Sequence, residues 1–133
     1  MEKKSMTPEN ITKETVLNYF QAWRTNDKEK LLLLFTEESV WEDPVGSKPN
    51  VGLKEIASFW DNAHLDQSTT LSPVINKEIY LGEEALVSFT MQIRDNDGKG
   101  MDLEVTDYFK VNKNGNIDIA RAFWDQSCIK VIE

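Results

Sequence analysis

Asp107 is the residue of this chain whose position points most directly to chemistry. From residue 101 to 111 the sequence alternates strictly, and apart from Asp107 one register holds only apolar side chains. That alternation predicts a half-buried β-strand with Asp107 on the face toward the core. An ionised carboxylate without a partner is costly to bury, so such a group usually takes up a proton. A neutral carboxylic acid inside a pocket can donate a hydrogen bond at neutral pH.

Two further polar side chains, Tyr19 and Asp43, are predicted to point toward the same interior. Tyr19 lies within an apolar stripe of helical period, which places its ring in the core. Asp43 ends a short strand and shares a face with Trp41. Taken singly, each group has an ordinary explanation, as a core tyrosine, a turn acid before Pro44 and an acid bound to a backbone amide. The three together are much harder to attribute to coincidence.

The surrounding pattern predicts the elements that position these groups. Helices are predicted at about 10–25, then after an Asn26/Asp27 cap with an apolar body at 31–35, and at about 53–62. Strands are predicted at 39–43, 71–81 with an interruption at Pro73, 85–93, 101–111, and from the turn at 112–115 through about 124. Helices followed by antiparallel hairpins indicate an α+β fold. A strongly curved sheet wrapped by helices would leave a cone-shaped apolar pocket, a common place for a ligand.

Length, charge and cysteine usage narrow the function classes. The 133 residues suit one domain over 1–133, with 1–9 as a loose N-terminal tail. A net charge of −8 argues against nucleic acid and anionic membranes as partners, since both attract basic surfaces. Cys128 is the only cysteine, which leaves no intramolecular disulfide or thiolate metal site. With no apolar run suited to a signal peptide or membrane span, we expect a cytoplasmic protein.

The stretch from Trp41 to Pro49, Trp-Glu-Asp-Pro-Val-Gly-Ser-Lys-Pro, resembles the bacterial ketosteroid isomerases of the NTF2-like superfamily. That family carries its general base in a Glu-Asp-Pro-Val/Phe-Gly motif, which falls on Asp43. The family's oxyanion-hole tyrosine lies 24 residues upstream, and the same count reaches Tyr19. Its protonated aspartic acid lies in a strand ahead of an Asn/Gly turn, where Asp107 matches. The resemblance runs from about residue 12 to 124.

The resemblance implies an NTF2-like cone, in which about three helices of the N-terminal half wrap a curved sheet. It also implies a steroid Δ5-isomerase, which moves a double bond from β,γ to α,β of a cyclic ketone through an enolate. Asp43 would shuttle the proton, and Tyr19 and protonated Asp107 would form the oxyanion hole. No metal or organic cofactor is implied. A homodimer joined through the open sheet face would be typical, with a hydrophobic steroid-like ketone as substrate.

Substrate contacts are expected from five apolar residues: Phe35, Trp60, Phe89, Met91 and Trp124. Trp124 matches an aromatic residue that lines the family pocket. Trp60 replaces a tyrosine that supports the oxyanion-hole tyrosine, and its indole could donate to the Tyr19 hydroxyl but not accept from it. Phe35 replaces a tyrosine found in some members. Each of these side chains could equally belong to the plain core.

Two other functions stay open at this point. A different NTF2-like enzyme, such as a SnoaL-type cyclase, a hydrolase or a dehydratase, usually relies on His or Arg in the pocket, so an inward Arg94 or Arg121 would favour it. A non-catalytic binding or dimerisation module is the other possibility, since one fold hosts many functions. His64 is expected at the surface without a catalytic role, and Cys128 is expected to be inert.

Overall fold

The computed structural model describes residues 7–133, which are helical in the first half and mainly extended in the second. Their three α-helices are α1 (Pro8–Arg24), α2 (Lys28–Leu32) and α3 (Gly52–Ala63). The strands are β1 (Phe35–Glu42), β2 (Asn50–Val51), β3 (Thr70–Leu81), β4 (Glu84–Arg94), β5 (Gly100–Val111), β6 (Ile117–Phe123) and β7 (Ile129–Ile132), with a 3₁₀ turn at Gln126–Cys128 before β7. The predicted α+β class is confirmed. None of the helices in the described part of the chain is long and apolar enough to cross a membrane.

Helix α1 begins at Pro8, two residues before the predicted start at Asn10, because Thr7 caps it. The Thr7 hydroxyl accepts a hydrogen bond from the Asn10 N–H at 3.2 Å. Pro8 occupies the first turn, where its missing N–H leaves no bond unmade. Of the loose tail predicted over 1–9, residues 1–6 lie outside the described residues, whereas Pro8 and Glu9 are helical.

Helix α2 ends before the predicted apolar body at 31–35 is complete. Its cap is Asp27, whose carboxylate accepts the Lys30 N–H at 3.0 Å, and the helix ends at Leu32. Phe35 instead opens β1, where it pairs with Ile117 of β6. A short apolar run fits a helix or a strand equally well, and here the sheet pairing decides for the strand.

The strands form one mixed, curved sheet in the order β2-β1-β6-β5-β4-β3. β1 runs parallel to β6, and the other neighbours in this order are antiparallel. β7 pairs with β5 beyond the end of β6, from Gly100 opposite Ile132 to Leu103 opposite Ile129. The sequence pattern predicts neither β7 nor the parallel pair, because neither has a local signal.

β3 runs without a break through Pro73, where the sequence predicts an interruption. Pro73 lies opposite Met91 of β4, and its carbonyl accepts a hydrogen bond from Arg24 Nε at 3.1 Å. Proline cannot donate to a ladder, but β3 is the last strand in the sheet order, so only one side needs donors.

The register of β5 confirms the face predicted for Asp107. Val105, Asp107 and Phe109 are buried, and Asp107 is only 4% exposed. Across the ladder Asp107 lies opposite Val87 of β4 and Ala122 of β6. The carboxyl group therefore projects from the centre of the concave face toward the helices.

Candidate active site

A cavity of about 260 Å³ lies between α1, α3 and the concave face of the sheet. Its wall is mostly apolar: Phe20, Trp23, Phe59, Ala63, Leu71, Phe89, Met91, Ile93, Leu103, Val105 and Trp124. Three titratable side chains also line it: Tyr19 from α1, Asp43 from the end of β1 and Asp107 from β5. The charges of both acids act on Tyr19, so the three groups lie within electrostatic reach of one another. The fold thus brings together the polar residues that the sequence singles out.

Asp43 follows β1 directly and is held from two sides. Trp124 Nε1 donates a hydrogen bond to Asp43 Oδ1 at 2.7 Å. Two residues further on, the Val45 N–H donates to the Ala122 carbonyl at 2.8 Å, which fastens the following loop to β6. Burial raises the pKa of Asp43, and the Trp124 bond, which favours the charged form, lowers it. The carboxylate keeps Oδ2 available for another partner.

Asp107 experiences a different environment from Asp43. Burial raises the pKa of its carboxyl group well above the usual range, and the charge of Asp43 raises it further. No hydrogen bond counteracts this effect on Asp107. Two nearby acids in unequal surroundings ionise in order, so Asp43 loses its proton before Asp107 does. In the pH range between these two ionisations, one carboxylate and one neutral acid face the same cavity.

Tyr19 is held in place by aromatic contacts on several sides. Its ring meets Phe109 edge-on at 4.9 Å and Trp41 at 5.7 Å between centroids. Burial raises the pKa of Tyr19 well above its usual value, and the charges of Asp107 and Asp43 raise it further. The indole of Trp23 acts in the opposite direction and lowers that pKa. The protonated form of Tyr19 is therefore favoured, and its side chain lines the cavity.

The predicted substrate contacts divide into two groups. Phe89, Met91 and Trp124 line the cavity, as the sequence predicts. Phe35 and Trp60 are absent from its wall. Phe35 stacks on Trp41 with ring centroids 5.5 Å apart, and Trp60 packs against Trp23 at 4.5 Å. These two side chains do not reach the cavity wall, because both are covered by other aromatic rings of the core.

Trp23 lines the cavity, and its spacing from Tyr19 is a sequence signal for this position. It lies four positions after Tyr19 on the same helix, and residues at this spacing share a face. On α3, the apolar pattern predicts an inward Phe59, but it does not predict that Phe59 and Ala63 line the cavity. They reach the cavity only through the way α3 crosses the sheet.

The two arginines considered for an inward role point elsewhere. Arg94 pairs with Asp102 at 2.6 Å, and Arg121 pairs with Glu42 at 2.9 Å. Neither belongs to the cavity wall. His64, expected at the surface, is half-buried and stacks on Trp60 at 4.2 Å. Within residues 7–133 no group of three or more His, Cys, Asp or Glu is placed to hold a metal ion.

Comparison with known families agrees with this architecture. The sequence model of the SnoaL-like domain family matches residues 16–120, and the chain belongs to that family. Together with the three helices and the curved mixed sheet, this match confirms the predicted NTF2-like cone.

Several solved structures share the fold over nearly the whole chain. The epoxide hydrolase/cyclase-like enzyme SalBIII, described in pyran ring formation of the polyether salinomycin, is 25% identical with a TM-score of 0.78, covering 95% of this chain and 99% of that one. The Δ5-3-ketosteroid isomerase from Mycobacterium sp. is 16% identical with a TM-score of 0.77, covering 95% and 99%. RV0760c from Mycobacterium tuberculosis, in complex with estradiol-17beta-hemisuccinate, is 17% identical with a TM-score of 0.76, covering 94% and 99%.

Proposed function

We propose that this chain is an isomerase that moves a carbon–carbon double bond from β,γ to α,β of a cyclic ketone. One observation carries the proposal. Asp43 and Asp107 line a single apolar cavity, and their surroundings favour the neutral acid more strongly at Asp107 than at Asp43, so Asp43 is the first of the two to become a carboxylate. Such a pair supplies a base and a hydrogen-bond donor without any further reagent.

The proposed reaction uses Asp43 for both proton transfers. Its carboxylate removes a proton from the α-carbon, and the electrons of that C–H bond form a dienolate whose charge moves to the carbonyl oxygen. Asp43 then delivers the same proton to the γ-carbon, the α,β double bond forms, and the carboxylate is restored. The Trp124 bond to Oδ1 leaves Oδ2 free to move between the two carbons. Substrate and product are isomers, so the reaction balances without a cofactor.

Tyr19 and Asp107 would stabilise the dienolate oxygen. We infer that both act in their protonated forms, because burial raises the pKa of each group. Each would donate one hydrogen bond to the oxygen and keep its own proton. Donors already fixed in an apolar site stabilise a developing charge more strongly than water does, because they need no reorganisation.

The apolar wall supports a hydrophobic, ring-shaped substrate. Aromatic and aliphatic side chains from α1, α3 and β3–β5 surround the space beside the three polar groups. The neighbours described with a steroid ligand or as a ketosteroid isomerase share this fold. We therefore propose a steroid-like cyclic ketone as the substrate class.

Similarity to SalBIII favours one second candidate, an epoxide-opening or cyclising enzyme. In that reaction Asp43 would take a proton from an attacking hydroxyl as the epoxide C–O bond breaks. The released oxygen would receive a proton from Asp107, and proton exchange with solvent would restore both acids. Arg94 and Arg121 form ion pairs away from the cavity wall, which disfavours a hydrolase assisted by either arginine.

A parallel assay separates these functions. Purified protein is supplied with a β,γ-unsaturated 3-ketosteroid, with absorbance of the conjugated enone as the readout, and separately with a hydroxy-epoxide analysed for ring products. We expect enone formation that Asp43→Asn abolishes and the adjacent Glu42→Gln retains. Glu42 is a matched control because its side chain bonds Arg121, and glutamine preserves the accepting oxygen. Ring products without enone would establish the second candidate. If neither product forms, both enzymatic proposals fail and a non-catalytic binding module remains.

We also propose a homodimer joined through the outer face of the sheet. Ile79, Leu86 and Phe123 on this face are 41%, 46% and 44% exposed. Exposed apolar side chains grouped on one face are typical of an interface between protein chains. Sedimentation equilibrium tests the dimer, and Leu86→Lys should shift the protein to monomers. The cytoplasmic location stays a prediction.

A further inference from the structure

The indole nitrogen of Trp23 is a buried hydrogen-bond donor without an acceptor. Its Nε1 atom is inaccessible to solvent and has no hydrogen-bond partner within residues 7–133. An indole nitrogen can only donate, and an unpaired buried donor costs free energy. Trp23 also lines the cavity, which places this donor on the same cavity wall as the three polar groups.

The acceptor on which this donor acts is the hydroxyl oxygen of Tyr19, because the indole lies close enough to lower the pKa of Tyr19 although no hydrogen bond of ordinary geometry joins the two groups. Trp23 follows Tyr19 by four positions on α1, so the two side chains lie on one face of the helix. Their ring centroids are 6.4 Å apart with the planes inclined by 67°. A tyrosine hydroxyl that donates its proton to a ligand still has lone pairs to accept another bond.

Neighbouring rings hold the indole but offer its nitrogen no acceptor. Trp60 packs against Trp23 at 4.5 Å, and His64 stacks on it at 5.4 Å with an angle of 19° between planes. The Nδ1 atom of His64 is already engaged with the Trp60 carbonyl at 2.7 Å. The aromatic stack thus fixes the plane of Trp23 and leaves the Tyr19 side of the ring for its polar contact.

We propose that Trp23 is a positioning residue whose indole N–H donates to the Tyr19 hydroxyl oxygen when Tyr19 donates to a bound oxyanion. This role rests on the proposed function of Tyr19. As Tyr19 gives its hydrogen bond to a developing enolate, charge on its oxygen rises and the Trp23 bond strengthens. An interaction that is stronger in the transition state than in the ground state accelerates the reaction. Trp23 thereby takes the supporting position that the sequence assigns to Trp60.

The indole N–H resonances of ¹⁵N-labelled protein test this contact directly. The probe is 2-naphthol, a phenol whose oxygen mimics an enolate. We expect the Trp23 indole proton to move downfield on addition of 2-naphthol, with the Trp60 indole as the internal reference. In Tyr19→Phe, which keeps the ring but removes the acceptor, the downfield movement should be lost. An unmoved Trp23 proton in the wild type, or an equal movement in Tyr19→Phe, would overturn the proposal.

Kinetics supply a second measurement on the same residue. Trp23→Phe should lower kcat about fivefold, as loss of one neutral hydrogen bond predicts, with a smaller effect on KM from the place of Trp23 in the cavity wall. Trp60→Phe keeps an aromatic ring stacked on Trp23 and removes only the adjacent indole N–H, so it should lower kcat less than Trp23→Phe does. A loss confined to KM, or an equal loss in both variants, contradicts the role. The NMR comparison needs no Trp23 variant and decides the matter if Trp23→Phe does not fold.

Turnover of a ketone and binding of 2-naphthol test the two proposals separately. If no ketone is turned over, the isomerase proposal fails while the 2-naphthol titration still reports on Trp23. If 2-naphthol does not bind, the oxyanion site fails and the inference on Trp23 is overturned with it. If 2-naphthol binds and moves the Trp23 proton in the wild type but not in Tyr19→Phe, the inference stands whether or not a ketone is turned over.

Discussion

Trp124 and Asp43 are joined by a 2.7 Å hydrogen bond from the indole Nε1 to the carboxylate Oδ1. This bond and the burial of Asp43 act in opposite directions, since burial favours the neutral acid and the bond favours the carboxylate. The same bond fixes one oxygen and leaves the other free. The proposed base is thus both tuned and oriented by one side chain at the end of β6.

Replacing Trp124 by phenylalanine should move the acidic limb of the pH–rate profile to higher pH. Loss of a bond that lowers the pKa of Asp43 leaves burial unopposed, so the pKa rises and less carboxylate is present at a given acidic pH. The measurement is kcat/KM against pH, which reports the free enzyme. Phe59→Leu, a lining change without a bond to Asp43, serves as the control. An unmoved limb in Trp124→Phe would show that Asp43 is not the titrating base.

Asp107→Asn and Asp107→Leu should differ in activity. The amide of asparagine still donates a hydrogen bond, whereas leucine donates none. We expect Asp107→Leu to lose about 10²–10³-fold in kcat, the usual cost of removing one oxyanion donor, and Asp107→Asn to lose less. Glu104→Gln, on the opposite face of β5, should be neutral because Thr90 can still donate to the amide oxygen. Equal losses in both Asp107 variants would contradict a donor role.

The burial of Asp107 also predicts how stability depends on pH. The pKa of Asp107 is raised in the folded state, so between the unfolded pKa of about 4 and the folded pKa the folded chain binds the extra proton. The free energy of unfolding therefore falls as pH rises through this window. Asp107→Asn removes this dependence, so the variant should gain stability over the wild type at pH 8 relative to pH 5. Urea unfolding at both pH values measures the difference, and a pH-independent difference would refute it.

Substitution of a residue that lines the cavity should change KM, whereas substitution of a residue behind the cavity wall should change the free energy of unfolding. Met91 lines the cavity, and Met91→Ala should raise KM for a steroid-like ketone about tenfold, as loss of ~1.5 kcal/mol of apolar contact predicts. Phe35 is buried but outside the wall, so Phe35→Leu should reduce the free energy of unfolding and leave KM unchanged. Steady-state kinetics and urea unfolding of both variants provide the check. A raised KM in Phe35→Leu alone would reverse this assignment.

Local periodicity accounts for the parts of this site that the sequence predicts. The face of Asp107 follows from alternation along one strand, and the face of Tyr19 from a stripe along one helix, because both patterns are complete within a dozen residues. The finding that Trp23, and not Trp60, lines the cavity has a different origin. Both indoles are apolar and aromatic in the sequence, and only the packing of α3 against α1 determines which one lines the cavity.

Pairing between distant strands accounts for what the sequence does not show. Phe35 belongs to β1 because it meets Ile117, and β7 exists because β5 extends past the end of β6. Neither contact leaves a periodic trace in the residues themselves. For the same reason, alternation along Met101–Val111 predicts a strand but not its neighbours.

The parallel pairing of β1 with β6 has a consequence for the order of folding. The hairpins β3–β4 and β4–β5 close short loops, whereas the bond between Asp43 and Trp124 spans 81 positions and closes a long one. Long-range closure costs more chain entropy and forms more slowly than local pairing. A chain with its hairpins formed but β1 undocked holds the apolar wall and Asp107 without Asp43. Recovery of activity on refolding should therefore lag behind recovery of the β3–β4 and β4–β5 hairpins.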